Sequence, residues 1–314
     1  MTIFRRLALA ATLSTFILVA IGGLVRATKS GLGCGTDWPH CSGKLVPALE
    51  SRAVIIEYSH RLAASVVVIL LATLALAAWR LRPRSRRIAW ASSGAFGLVL
   101  LQAVIGAVVV KLELEAESVV LHLTAAMALL GVLIYITLGA YRIEDRLETT
   151  VDRATAKRAS FAAGAVLLLL MVGSYISGSP GAGLAFGDWP LMNGRVVPDL
   201  SVEPRALHFL HRTLAAASGA VVAVVALQIM RRKAELPLQA HLAHVALGAF
   251  ALEVLIGAAN VWTGLNAVVV TGHLLVGALV WASLVGIAVA SRPATLPVAH
   301  RTLRGRRPAL DGGR

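Results

Sequence analysis

Charge is what this chain has least of. Only 15% of its 314 residues are Asp, Glu, Lys or Arg, and just 16 residues are acidic. Hydrophobic residues make up 57% of the chain and the mean hydropathy is +0.77. That balance excludes an ordinary soluble domain, in which about a quarter of residues are charged, and points to an all-α integral membrane protein. Cysteine is nearly missing too: there are two, Cys34 and Cys41. No cysteine lies in an apolar run, so zinc is disfavoured within the membrane. No small-x-small cleavage site follows Gly22-Gly23-Leu24-Val25-Arg26, so the first apolar run reads as an uncleaved span rather than a signal peptide. Internal proline is absent from the apolar runs as well, which argues against the broken helices of a repeat-built transporter.

What remains is apolar sequence in eight runs, at about 7–25, 56–79, 88–110, 119–140, 159–177, 205–230, 240–260 and 268–290. Each is near the ~20 residues that a helix needs to cross the hydrocarbon core. With the N-terminus inside, twenty-one of the thirty Lys and Arg residues fall on the inner side and seven on the outer. Arg61 and Arg212 lie just within spans. This bias predicts a multi-pass protein of the cell membrane with both termini cytoplasmic. The net charge of +14 is then a basic inner face meeting anionic lipid, with no nucleic acid required.

The chain repeats itself at an offset of 151 residues. Asp37-Trp38-Pro39 recurs as Asp188-Trp189-Pro190, Val46-Pro47 as Val197-Pro198, and His60-Arg61 as His211-Arg212. Gln102-Ala103-Val104-Ile105-Gly106 corresponds to Glu253-Val254-Leu255-Ile256-Gly257, and His122 to His273. A fixed, ungapped period implies a duplicated four-helix unit. Because each unit has an even number of spans, the halves share one orientation about an axis along the membrane normal. The expected organisation is an N-terminal unit over 1–140, a cytoplasmic linker over 141–158, a C-terminal unit over 159–290 and a basic tail over 291–314. Two differences break the repeat. Ala185 and Met192 replace the cysteines, and Glu57 is replaced by His208.

Of nine histidines, four open spans two, four, six and eight: His60, His122, His211 and His273. All four belong at similar depth near the outer surface, two in each half. Paired imidazoles on neighbouring helices can ligate a haem iron axially. A hydrogen-bonded core histidine is the plainer reading for any one of them, but repetition counts against it for four. His241 and His244 fall at the inner end of span seven, without histidine counterparts in the first half, and read as interfacial. Arg61 and Arg212 either snorkel to head groups or hold porphyrin propionates. Glu57 precedes His60 by three residues, hence on the same helix face; as an intramembrane acid it is a candidate functional group. The long outer loop from Arg26 to Ile55 holds both cysteines, and the outer compartment favours a Cys34–Cys41 disulfide over a metal site with His40.

Together these residues resemble haem A synthases. The resemblance rests on Gly23-Leu24-Val25-Arg26-Ala27-Thr28, Ser30-Gly31-Leu32, Cys34-x-x-x-Trp38-Pro39-x-Cys41, Glu57-x-x-His60-Arg61 and the later histidines. It spans about residues 7 to 290 and includes the branch with an outer-loop cysteine pair. It implies an oxidoreductase that converts a methyl group of haem O into the formyl group of haem A by successive hydroxylations, for terminal-oxidase assembly. It further implies substrate haem at His60 and His122, a haem b cofactor at His211 and His273, and a catalytic role for Glu57. Two such roles are open to that acid: stabilising a cationic intermediate and moving protons. Haem O synthase, terminal-oxidase assembly factors and a second copy of the chain are the partners implied. The main rival is a di-haem b-type quinol oxidoreductase, which needs the four histidines but not the one-sided Glu57.

Overall fold

The computed structural model describes residues 2–80, 85–143, 147 and 149–293. Arg82, Arg84, Arg146, His300 and nearly all of the expected basic tail lie outside the described residues. Among those described are eight long α-helices: α1 (Thr2–Ala27), α2 (Arg52–Arg80), α3 (Arg86–Lys111), α4 (Ala116–Ile143), α5 (Arg153–Gly178), α6 (Glu203–Met230), α7 (Pro237–Trp262) and α8 (Ala267–Ala290). A single 3-10 turn, Ala182–Leu184, and two isolated bridges, Cys41 with Lys44 and Met192 with Arg195, complete the regular structure. All eight α-helices are long and apolar enough to cross a membrane. The protein is all-helical and multi-pass.

Each helix matches one apolar run but reaches past it, because polar residues at a membrane boundary do not interrupt helical hydrogen bonding. In α5 the first turns include Arg153, Lys157 and Arg158, which the sequence reading assigned to a linker. Asp152 caps that helix by accepting from the backbone N–H groups of Ala154 and Thr155, satisfying donors that a helix start leaves unpaired. Ser85 and Asn266 cap α3 and α8 in the same way. Pro204 and Pro237 stand in the first turns of α6 and α7, where a missing N–H costs nothing.

Helix bounds themselves repeat. Adding 151 to the first and last residues of α1 and α3 gives those of α5 and α7. In packing, α1 to α4 close into one ring and α5 to α8 into another, and α1 and α4 meet α8 across the joint. The apolar interior follows that division: one cluster centres on Leu71, Leu74, Leu133 and Ile136, the other on Val222, Trp281, Leu284 and Ile287. Helix α8 is the most enclosed, with 56% of its apolar window buried against 22–28% for the others. Ile17, Ile69, Leu76, Phe161 and Leu255 point outward, as side chains that meet lipid do. At the end away from the long loops, Arg142 of α4 donates to the carbonyls of Val289 and Ala290, closing the C-terminus of α8. Such a cation suits the negative end of the helix dipole.

Candidate functional site

Two histidine pairs, termed chambers, lie at the loop end, one per ring. His60 and His211 lie eight residues into α2 and α6, and His122 and His273 six into α4 and α8. At 1.5 Å per residue, all four imidazoles sit about 9–12 Å from the helix starts. Repetition of sequence has become repetition of depth. His211 and His273 have ring centroids 6.4 Å apart with planes at 76°.

Each ring also faces a glycine of the preceding helix. A Cβ built at Gly22 would stand 3.3 Å from Cε1 of His60, at Gly106 3.2 Å from His122, at Gly173 3.1 Å from His211 and at Gly257 3.5 Å from His273. All four glycines lie five residues before a helix end. At the first three positions a methyl group would press on the imidazole edge, whereas at Gly257 it would make an ordinary contact. Gly22 and Gly173 were legible in the sequence, since they too stand 151 apart, but a glycine in an apolar run carries no chemical label. Inside this cradle the buried Nδ1 atoms of His60, His122, His211 and His273 have no hydrogen-bond partner among the described residues. Buried polar atoms normally have one, so four rings without an aligned partner at equivalent places are a shared property of the chambers.

Arg61 and Arg212 hold the loops above the chambers. Nη1 of Arg61 donates to the carbonyls of Asp37 and His40 at 3.0 and 2.7 Å. Arg212 repeats this on the equivalent carbonyls of Asp188 and Leu191, at 3.0 and 2.9 Å. Cys34 and Cys41 form a disulfide that closes the first loop. Glu57 is buried beneath it, and both carboxylate oxygens are engaged: one accepts from Nη2 of Arg61 at 2.5 Å, the other from the backbone N–H of Cys34 at 2.7 Å. Glu57 is therefore tied to the disulfide loop as well as sharing a helix with His60. In the second half Nε of Arg212 donates to His208 at 3.1 Å, and the buried ring of Phe186 packs against that imidazole. The pair beneath the first loop is an acid and a base with no net charge; beneath the second it is an arginine and an imidazole.

Gln102 and Glu253, whose roles the sequence left open, differ as sharply. Nε2 of Gln102 donates to the backbone carbonyl of His122 at 3.0 Å. Oε2 of Glu253 instead stands 2.6 Å from Nδ1 of His273. The two remaining histidines of the membrane region behave as interfacial residues would. His244 contacts only the carbonyl of Ala240, one turn back on α7, and His241 is exposed.

The chain is 30% identical to a heme A synthase from Alkalihalophilus pseudofirmus over 65% of its length and 68% of that protein. It is 31% identical to one from Halalkalibacterium halodurans over 66% of its length and 71% of that protein. A heme A synthase from Rhizorhabdus wittichii is 28% identical across 85% of this chain and 89% of its own. Residues 5–285 match the family model COX15-CtaA, and the chain belongs to this family of cytochrome oxidase assembly proteins.

Proposed function

We propose that this chain is a haem A synthase, oxidising the methyl group of haem O to the formyl group of haem A in the membrane by successive hydroxylations. The observation that carries the reading is the pair of imidazole chambers, equal in depth and unequal in acids. His211 and His273 lie with ring centroids 6.4 Å apart, close enough that the pair would hold one haem between them, and the glycines let the rings lie against the neighbouring helices. Among the described residues, no group of three or more His, Cys, Asp or Glu side chains gathers around one point. Ligands in pairs suit a metal that arrives in its own macrocycle.

In this reading His211 and His273 hold haem b, and His60 and His122 hold the substrate haem O. Bound there, haem b supplies one-electron chemistry to the neighbouring chamber. The protein contributes orientation and electrostatics. The histidine pair would orient the substrate, and Arg61 and Arg212, whose guanidinium groups bond loop carbonyls, would meet propionates by exchanging those bonds. The basic bias of the opposite end supports placing both chambers near the outer surface, with both termini in the cytoplasm. Helix bounds that recur at 151 residues support the division into an N-terminal substrate unit and a C-terminal haem b unit. Family membership supports haem O synthase and terminal-oxidase assembly factors as partners.

Glu57 is the acid of the substrate chamber. A second reading has a specific basis, because its two oxygens hold Arg61 and the loop amide of Cys34: the acid is then a structural tie. Glu57→Gln separates the two readings. It keeps the size and one acceptor while removing the charge and the proton exchange. As a positioned acid or base, Glu57 contributes about 10²–10⁴-fold, so the variant accumulates haem O and makes little haem A while haem b content stays normal. Normal haem A production assigns Glu57 to the loop alone.

A further inference from the structure

The repeat moves its acids. At the Glu57 position the second half has His208, and at the Gln102 position it has Glu253. Each chamber thus contains one carboxylate, but on different helices and aimed at different partners. In the first it meets an arginine and a loop amide; in the second it meets an imidazole. Side chains of Glu253 and His273 are 12% and 30% exposed, so the contact is largely screened from solvent.

We infer that Glu253 is the positioning residue of the second chamber, holding Nδ1 of His273 so that Nε2 is presented to the haem b iron; this rests on the reading given under Proposed function. The geometry points this way for two reasons. Among the described residues none of the four chamber Nδ1 atoms has an aligned hydrogen bond, but His273 has a carboxylate oxygen, Oε2 of Glu253, 2.6 Å from its Nδ1. In the first half the equivalent residue, Gln102, turns to a backbone carbonyl instead.

The approach of Oε2 to Nδ1 is oblique to the ring N–H, so the contact is not an aligned hydrogen bond in this structure. The terminal torsion of histidine is soft. A modest turn about it brings the N–H onto the oxygen, and ligation through Nε2 is compatible with that turn. A carboxylate accepting from the far nitrogen fixes the ligand's tautomer and raises its basicity. Greater basicity favours ferric over ferrous iron, so Glu253 gives the two chambers different potentials although all four ligands are histidines.

The test uses purified full-length protein with its haem. Haem b content and midpoint potential are measured in the wild type, Glu253→Gln and Glu253→Asp. Glu253→Gln should retain haem b and favour the ferrous state by about tenfold, an upward shift of about 59 mV for a one-electron couple. The ferric low-spin EPR signal should move with it, since it senses the orientation of the axial rings. Loss of haem b from Glu253→Gln but retention with a shifted potential in Glu253→Asp also supports the inference. Unchanged potential and EPR signal in a haem-loaded Glu253→Gln protein overturn it, as does loss of haem b from both variants, which makes Glu253 a requirement for assembly. Parallel His211→Ala and His273→Ala proteins separate the two levels. If those keep their haem b, the cofactor assignment has failed, whatever Glu253 does.

Discussion

The two halves of the molecule agree in backbone and disagree in chemistry. Helix starts, imidazole depths, glycine cradles and arginine-to-loop hydrogen bonds all recur 151 residues apart. Against that background three exceptions fall at the chambers: Glu57 for His208, Gln102 for Glu253, and a disulfide for Ala185 and Met192. Substitutions at otherwise superposable positions are informative because a common scaffold removes the fold as their explanation. The first half puts its acid under a covalently closed loop. The second puts its acid behind a candidate iron ligand. An acid tied to a loop in one half and to an imidazole in the other fits the proposed substrate site beside a proposed cofactor site.

The most direct way to break this division is to remove the histidines one half at a time. His211→Ala or His273→Ala should abolish the tightly held haem b, read as pyridine haemochrome per chain. His60→Ala and His122→Ala should leave haem b in place while haem O no longer binds productively. Each deletion would remove one of the two side chains proposed to hold a haem, and second-shell losses alone typically cost 10–100-fold in metal affinity. If His60→Ala loses haem b and His211→Ala does not, the halves exchange roles.

A smaller perturbation asks whether the cradle matters as well as the ligand. Gly173→Ala places a methyl group 3.1 Å from Cε1 of His211, closer than most Cβ contacts, whereas Gly164→Ala on the same helix meets nothing within 4 Å. The first should weaken haem b retention by about 10–100-fold, as other disturbances of a ligand's orientation do. The second should keep haem b and stabilise α5 by up to ~1 kcal/mol, the ordinary helical preference for Ala over Gly. Gly22→Ala, at 3.3 Å from His60, carries the comparison to the first half: it should disturb haem O handling and leave haem b alone. Equal haem retention in Gly173→Ala and Gly164→Ala removes the glycines from the argument.

Much of this architecture can be read before any coordinates. Spans follow from apolar length, and the fixed offset identifies equivalent residues without alignment. His60, His122, His211 and His273 stand out because imidazole in an apolar run needs a reason. Harder to read are features whose residues have no chemical signature. Gly22 and Gly173 are ordinary in a membrane helix, and only the approach of an imidazole edge gives them meaning. The partners of Glu57 were also hidden. Its i+3 relation to His60 is a property of one helix, whereas the Cys34 amide reaches it from a loop twenty-three residues earlier. Loops without periodicity give no direction to their N–H groups. Glu253 was visible as a polar residue in midspan, but its contact depends on how α7 packs against α8, which helical period does not encode.

The smallest expected effect concerns the two outer loops. In the first, the disulfide holds Cys34 to Cys41, and Asp37 adds one 3.1 Å hydrogen bond from the Gly43 N–H. In the second there is no covalent link, and Asp188 takes both donors of the turn: the N–H of Gly194 at 2.8 Å and that of Asn193 at 2.7 Å. Those donors hold the Asp188 carboxyl below its ordinary value of 3.8, the Gly194 N–H most of all. A carboxyl whose folded value is depressed contributes fully above its unfolded value and loses that contribution as pH falls through the folded one. The second loop should therefore stay closed at neutral pH and loosen only below about pH 3.8. Asp188→Asn removes the charged acceptor at every pH, and amide exchange in the 186–195 segment should rise by about 2–10-fold, the range for one exposed hydrogen bond. Asp37→Asn should change exchange in the disulfide-closed 35–44 segment far less. Reducing Cys34–Cys41 before the measurement should make the two variants behave alike, because the first loop then depends on its aspartate as the second already does. Equal exchange in the two variants with the disulfide intact would mean that the cysteines do not substitute for the second aspartate bond.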